Sequence, residues 1–346
     1  MSKLIPTELA APIPDLADKA KQQGLELTPP QQKAVDEVVA HFSSPDYTLS
    51  GLKEGQDGAL LEEEKFWLVR RRQALITSCS IIRYLRATKW QSSRTAIKRL
   101  EDTLRWRREF GLYDERHTPA HVEPEALTGK EIMSGFDTAG RPALYLCPER
   151  QNTDESIRQI EFLIFMVERS IDFMGPGVES LALMVDYGRK SAKSPSFATS
   201  RSVLNILQTH YPERLGRALI INVPWVLNAF YKLITPLIDP VTRDKMRFNP
   251  DAVADGLFTA DSLWKEFGGS IEFNYKHEAY WTHFVETSTA QRKKWQEKWR
   301  VLGGKPGIKE WDYKQAEAVV SEKTDSAEVT TAPSIEEASV AGDAPL

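Results

Sequence analysis

Residues 210–245 read HYPERLGRALIINVPWVLNAFYKLITPLIDPVTRDK, and this stretch restricts the possible folds more than any other part of the chain. Between Arg217 and Asp239 lie twenty-one residues whose only charge is Lys232, interrupted by Pro224 and Pro236. A membrane span, a buried core element or a lid over an apolar ligand could each hold such a segment. A span needs about twenty apolar residues in a row. Here ALIIN is β-branched and strand-like, Pro224 stops the strand, and WVLNAFYKLITPLI offers about fourteen residues for a helix. That is too short to span; core helix and lid stay open.

The flanking sequence predicts strands and helices in alternation. SLALMVDYG (180–188) and RALIINVP (217–224) are short continuous apolar runs, as buried parallel strands are. SFATSRSVLNILQTHY between them reads as a crossover helix. EIMSGFDTAGRPALYLCP (131–148) reads as two strands joined by a turn at Asp137–Gly140. DESIRQIEFLIFMVERSIDFM is a helix with Ile157, Ile160, Ile164, Val167, Ile171 and Met174 on one stripe, widened by Phe162, Phe165 and Phe173. So broad a stripe implies burial on more than one side. The expected fold class is α/β, a mixed sheet with flanking helices.

A small all-helical unit precedes it. LLEEEKFWLVRRRQALI has acids before bases, which suits the helix dipole. SSRTAIKRLEDTLRWRREFGL is capped by Ser92 or Ser93 and ended by Gly111. The resulting partition is 1–58 variable N-terminal arm, 59–116 helical unit, 117–275 α/β domain, 276–315 C-terminal helical extension and 316–346 acidic disordered tail. The arm holds one short helical candidate, QQKAVDEVVAHF, and the tail combines low hydrophobicity with an excess of acid.

The net charge of −4 hides a local imbalance: Arg70–Arg108 carries twelve Lys/Arg against Glu101 and Asp102. Such a block is a solvated face, an anionic-membrane surface or a nucleic-acid surface. No known nucleic-acid fold pattern accompanies it, and no nucleic-acid partner is expected. Two distant cysteines, Cys79 and Cys147, and an N-terminus without an apolar signal core read as a cytosolic chain.

Signals for catalysis are missing. No GxGxxG follows a strand, GRKS at 188–191 lacks the upstream glycine of a phosphate loop, and no GxSxG occurs. His117 and His121 stand four apart, but Pro119 between them breaks the helix that would align them, so no metal is expected. Cys147 at a strand end reads as a core residue. The chain reads as a non-enzyme without a cofactor.

Several motifs in order carry a resemblance to a known family: IIRYLRATKW (81–90), GRP (140–142), YPERLGRALIINVPW, PLIDPVTRDKMRF and FGG (267–269). Over about 65–275 the chain resembles the CRAL-TRIO lipid-binding family, in particular the SEC-fourteen branch of fungal phosphatidylinositol transfer proteins. FNYKHEAYW further resembles the homologue subgroup linked to sterols and azole tolerance. The resemblance implies a deep lipid pocket floored by the sheet, with the segment from Pro224 to about Arg247 as its gate. Trp225, Phe230, Leu233, Ile234 and Leu237 would face acyl chains when shut and membrane when open.

It also implies a phosphatidylinositol headgroup site at Glu213 of PER, Thr242 and Lys245 of DPVTRDK, and Lys89. Thr88 stands where the family tends to carry Arg, so the phosphate contacts depart from the pattern there. Family members that also take phosphatidylcholine have polar groups on the inner wall where this chain has Leu144, Leu181 and Leu183. With Leu207, these make an inner pocket that would leave a phosphate unpaired. The expected ligands are therefore phosphatidylinositol and a sterol, not phosphatidylcholine. The expected role is transient and peripheral at membranes such as the endoplasmic reticulum, cell periphery or lipid droplets. There the protein would transfer lipid or present it to a phosphoinositide kinase, or else act as a membrane-docking adaptor that senses lipid.

Overall fold

The computed structural model describes residues 27–69, 80–188, 196–223 and 240–314. Helices α1 (Pro29–Ser43), α2 (Glu62–Trp67), α3 (Ser80–Ala87) and α4 (Ser93–Phe110) come first. Ser92 Oγ accepts the Thr95 N–H at 3.1 Å to start α4. Gly111, with φ 91°, ends α4 in the left-handed region that glycine enters without strain. Val38 and Phe42 of α1, Ile81 and Leu85 of α3, and Leu100 and Leu104 of α4 meet in one core.

Helix α5 (Pro119–Ala126), capped by Thr118, leads into the sheet region. There follow β1 (Glu131–Phe136), β2 (Pro142–Leu146), α6 (Ile157–Asp172), β3 (Leu181–Asp186) and α7 (Phe197–His210). Next come β4 (Leu215–Ile221), α8 (Pro240–Asp244) and β5 (Met246–Phe248). The strands lie side by side in chain order; β1 is antiparallel to β2 and the others run parallel. This is the mixed α/β sheet that the alternating pattern predicts. Asp137 pins its first hairpin: Oδ1 accepts the Ala139 and Arg141 N–H groups, both at 2.9 Å. Its Oδ2 meets Arg141 at 3.2 Å and Arg217 of β4 at 3.0 Å. In FGG, a Cβ on Gly269 would lie 1.9 Å from the Leu263 carbonyl oxygen, so only glycine fits there.

Helices α9 (His277–Val301) and α10 (Glu310–Lys314) close the described chain. α9 belongs to two cores: Tyr280, Trp281 and Phe284 pack in the sheet core, Trp295 and Trp299 in the helical one. For residues 27–58, the described part, this corrects the reading of residues 1–58 as a loose arm. Val35, Val38, Phe42 and Leu49 are buried beside Trp295 and Trp299, partners too distant in sequence to be visible locally. Residues 1–26, the Arg70–Cys79 part of the basic block and the acidic tail lie outside the described residues.

Ion pairs hold α6 along its length. Arg158 Nε lies 3.0 Å from Glu125 of α5, His121 Nε2 lies 2.7 Å from Glu161, and Arg107 of α4 makes a two-pronged contact with Glu168. Tyr211 donates a further hydrogen bond to Glu168 at 2.8 Å. Burial pushes the Glu168 carboxyl up, but the Arg107 charge and hydrogen bonds more than offset this and hold it well below its ordinary 4.5. A depressed carboxyl contributes stability that is present above about pH 4.5 and lost as pH falls towards the folded-state value. Arg107→Met is expected to cost about 3–5 kcal/mol at pH 7, because it strands a buried charge. In urea denaturation the deficit should shrink below about pH 4.5, where Glu168 is protonated more readily in the variant.

Candidate functional site

A cavity of about 560 Å³ opens on one face of the sheet. Its apolar wall takes Leu146 from β2, Leu183 and Val185 from β3, Leu163 from α6, and Leu204 and Leu207 from α7. Side chains alternate across a strand, so Leu181 shares the face of Leu183. Leu144 lies opposite Leu183 in the β2–β3 register and has no exposed surface. Of the four predicted inner residues, Leu183 and Leu207 line the cavity. Leu144 and Leu181 are buried on the same side of the sheet and are not among the lining residues.

One part of the wall is polar, and sequence reading missed it. Lys130, Glu131, Gln151, Thr153 and Gln159 all line the cavity. Thr153 gathers three of them: Gln151 Nε2 donates to it at 3.0 Å, Gln159 Nε2 at 3.2 Å and Lys130 Nζ at 3.4 Å. Lys130 also pairs with the buried Glu125. Glu131 sits opposite Leu146 across the β1–β2 pair, and both border the cavity. The available signal was a charge two positions before the fully buried Met133, on the same face of a strand. Cys147 also lines the cavity, and burial raises its thiol to about 12, so the thiol stays protonated at neutral pH. His121 is taken up by Glu161, while burial and then Arg169 lower His117 to about 3.

The predicted headgroup residues fall in three places: Thr88 and Lys89 after α3, Glu213 before β4, and Thr242 and Lys245 in and just after α8; an ion pair links the first two. Thr88 at the end of α3 donates to the Tyr84 and Leu85 carbonyls, both at 3.0 Å. Lys89 and Trp90 follow with φ 53° and 56°, and Glu213 has φ 63° in the turn before β4. Non-glycine residues in this region carry strain of about 1–2 kcal/mol each. Arg86 Nε lies 3.6 Å from Glu213 Oε2, and the same guanidinium pairs with Glu179. Lys245 Nζ donates to the Leu215 carbonyl at 2.8 Å, two residues from Glu213, and its N–H bonds the Thr242 carbonyl at 3.1 Å. Lys245 is thus anchored to the first residue of β4, two positions after Glu213, and Arg86 links Glu213 to the α3 end that carries Thr88 and Lys89. Arg86 was not singled out from sequence; its partner Glu213 is too far along the chain for local spacing to show. The gate residues Trp225, Phe230, Leu233, Ile234 and Leu237 lie outside the described residues.

Residues 127–269 match the CRAL/TRIO domain and residues 34–102 the CRAL/TRIO N-terminal domain. The chain is 45% identical over 295 residues to a CRAL-TRIO domain-containing protein of Schizosaccharomyces pombe, covering 85% of this chain and 28% of that protein. It is 36% identical over 295 residues to the phosphatidylinositol transfer protein PDR17 of Saccharomyces cerevisiae, covering 80% and 81%. It is 27% identical over 261 residues to the SEC14 cytosolic factor of Kluyveromyces lactis, covering 66% and 86%. The chain therefore spans little more than a quarter of the first relative and most of the other two.

Arg86 is the structural hinge between the two turns, and its removal tests that directly. Arg86→Ala leaves Glu179 and Glu213 without their shared cation and is expected to cost about 1–3 kcal/mol in chemical denaturation. Arg86→Lys should recover part of the loss. An unchanged midpoint in both variants would contradict the linkage.

Proposed function

The chain belongs to the CRAL/TRIO family, and from that premise we propose that it binds phosphatidylinositol and transfers it between membranes or presents it to a phosphoinositide kinase. The observation that carries the proposal is the mostly apolar cavity of about 560 Å³ in the domain that also holds the Glu213–Lys245 turns. PDR17, similar over four-fifths of both chains, is named as a phosphatidylinositol transfer protein. Two acyl chains hold about thirty CH₂ groups at roughly 0.8 kcal/mol each, so they leave a bilayer only for another apolar medium. A cavity walled by Leu183, Val185 and Leu207 is such a medium.

In this reading Lys245 and Thr242 meet the phosphate as donors, with Lys89 nearby, and Glu213 accepts from inositol hydroxyls. Thr88 hydrogen-bonds two carbonyls of its own helix, which argues for a supporting place rather than a phosphate contact. The apolar segment of Trp225, Phe230, Leu233, Ile234 and Leu237 serves as the gate. Leu144, Leu181 and Leu183 disfavour a choline phosphate, and the second ligand is a sterol. Work at the membrane is peripheral and starts from the cytoplasm. Among the described residues no helix is long and apolar enough to cross a bilayer.

The test is Glu213→Ala combined with Lys245→Ala. Losing two charge-assisted contacts of about 1.5–3 kcal/mol each should lower phosphatidylinositol transfer between vesicles by about 100-fold or more. The melting temperature should stay near that of the wild type. Undiminished transfer by the folded double variant would overturn the headgroup assignment.

A further inference from the structure

Glu131 is a carboxyl group in the polar part of the cavity wall with an oxygen that no described residue serves. Its Oε2 is shut off from solvent and has no hydrogen-bond partner among the described residues. The nearest cation in sequence, Lys130, is engaged by Glu125 and Thr153. Arg158 of α6 is also turned to Glu125. A buried polar atom without a partner is costly, and it persists where a ligand completes it.

We propose that the Glu131 carboxyl group binds the hydroxyl of an uncharged lipid, a sterol or a diacylglycerol, seated in the cavity against Leu183 and Leu207. This deepens the reading of the cavity as a lipid site and rests on it. A protonated carboxyl offers one donor and one acceptor, and an alcohol offers the same pair in return. Burial raises Glu131 to about 8, with Glu125 also raising it and Lys130 opposing, so the protonated form prevails at neutral pH. A phosphodiester would bring a negative charge and acceptors only, and a quaternary ammonium has no N–H to give. The cavity volume lies within the ~300–1,000 Å³ common for a single small ligand.

The experiment measures binding of labelled cholesterol, labelled dioleoylglycerol and labelled phosphatidylinositol to the full chain, for wild type, Glu131→Leu and Glu131→Gln. One of the two neutral lipids should bind the wild type, and which one does identifies the source of the hydroxyl. Glu131→Leu should weaken it about tenfold or more, while Glu131→Gln, which keeps a donor and an acceptor, stays within about threefold. Wild-type affinity should fall as pH rises through about 8, because the ligand binds the protonated form, and the Leu variant should show no such fall. The other titratable groups around the site are Glu125, Lys130, Arg158, Glu155, Cys147 and Tyr187, and all are kept in the Leu variant. Melting temperatures verify that both variants are folded. Equal neutral-lipid binding by wild type and Glu131→Leu overturns the inference and leaves the lipid cavity standing. Equal loss in the Gln and Leu variants also overturns it, pointing to an ionised carboxylate and a lipid ammonium. Binding of phosphatidylinositol but of neither neutral lipid overturns it alone; binding of none of the three overturns the cavity reading as well.

Discussion

A ligand cavity with apolar walls survives only if those walls are held from outside, because apolar surfaces facing one another across a space tend to close it. Helix α6 forms one wall and is held in this way. Arg158 ties its first turn to Glu125, His121 meets Glu161, and Arg107 with Tyr211 grips Glu168 near its end. All of these partners come from outside the cavity lining: α4, α5 and the turn after α7. Paired buried charges add little net stability compared with apolar packing, but they accept only one geometry, which packing alone would not impose. The helical core enters through the same link, since Arg107 lies on α4 and the rest of that core braces α4.

This arrangement separates the chemistry into regions. The sheet face of Leu183 and Val185 together with α7 supplies apolar wall, the Thr153 cluster supplies polar wall, and the Glu213 and Lys89 turns carry strained backbone beside charge. Strain at Lys89, Trp90 and Glu213 falls on the turns where the family resemblance puts headgroup contacts. Arg86 spans the gap between them and keeps Glu213 from standing as an isolated carboxylate.

Local patterns were legible where local physics decides them. The Ser92 cap, the Gly111 stop, the Asp137 hairpin and the buried runs of β3 and β4 all follow from propensity and period. Motif order was enough to identify the family. What stayed hidden depends on distant partners. The 29–58 stretch looked loose because its core partners, Trp295 and Trp299, lie at the other end of the chain. Glu131 was not singled out, because only the fold brings residues of α6 and α7 to the same cavity. The three leucines implied a uniformly apolar inner pocket, while the structure adds the Lys130–Gln159 polar group to the same wall. Leu144 and Leu181 share the sheet face but are buried outside the lining, a distinction that a period of two cannot make.

The proposed function is that of a lipid carrier whose cavity accepts phosphatidylinositol and refuses phosphatidylcholine. Mass spectrometry of lipid extracted from the purified full chain tests it most directly. The account predicts phosphatidylinositol in near-stoichiometric amount, with a hydroxyl-bearing neutral lipid as the other occupant and phosphatidylcholine at background. Phosphatidylcholine as the main extracted lipid, or no lipid at all from folded protein, would contradict it.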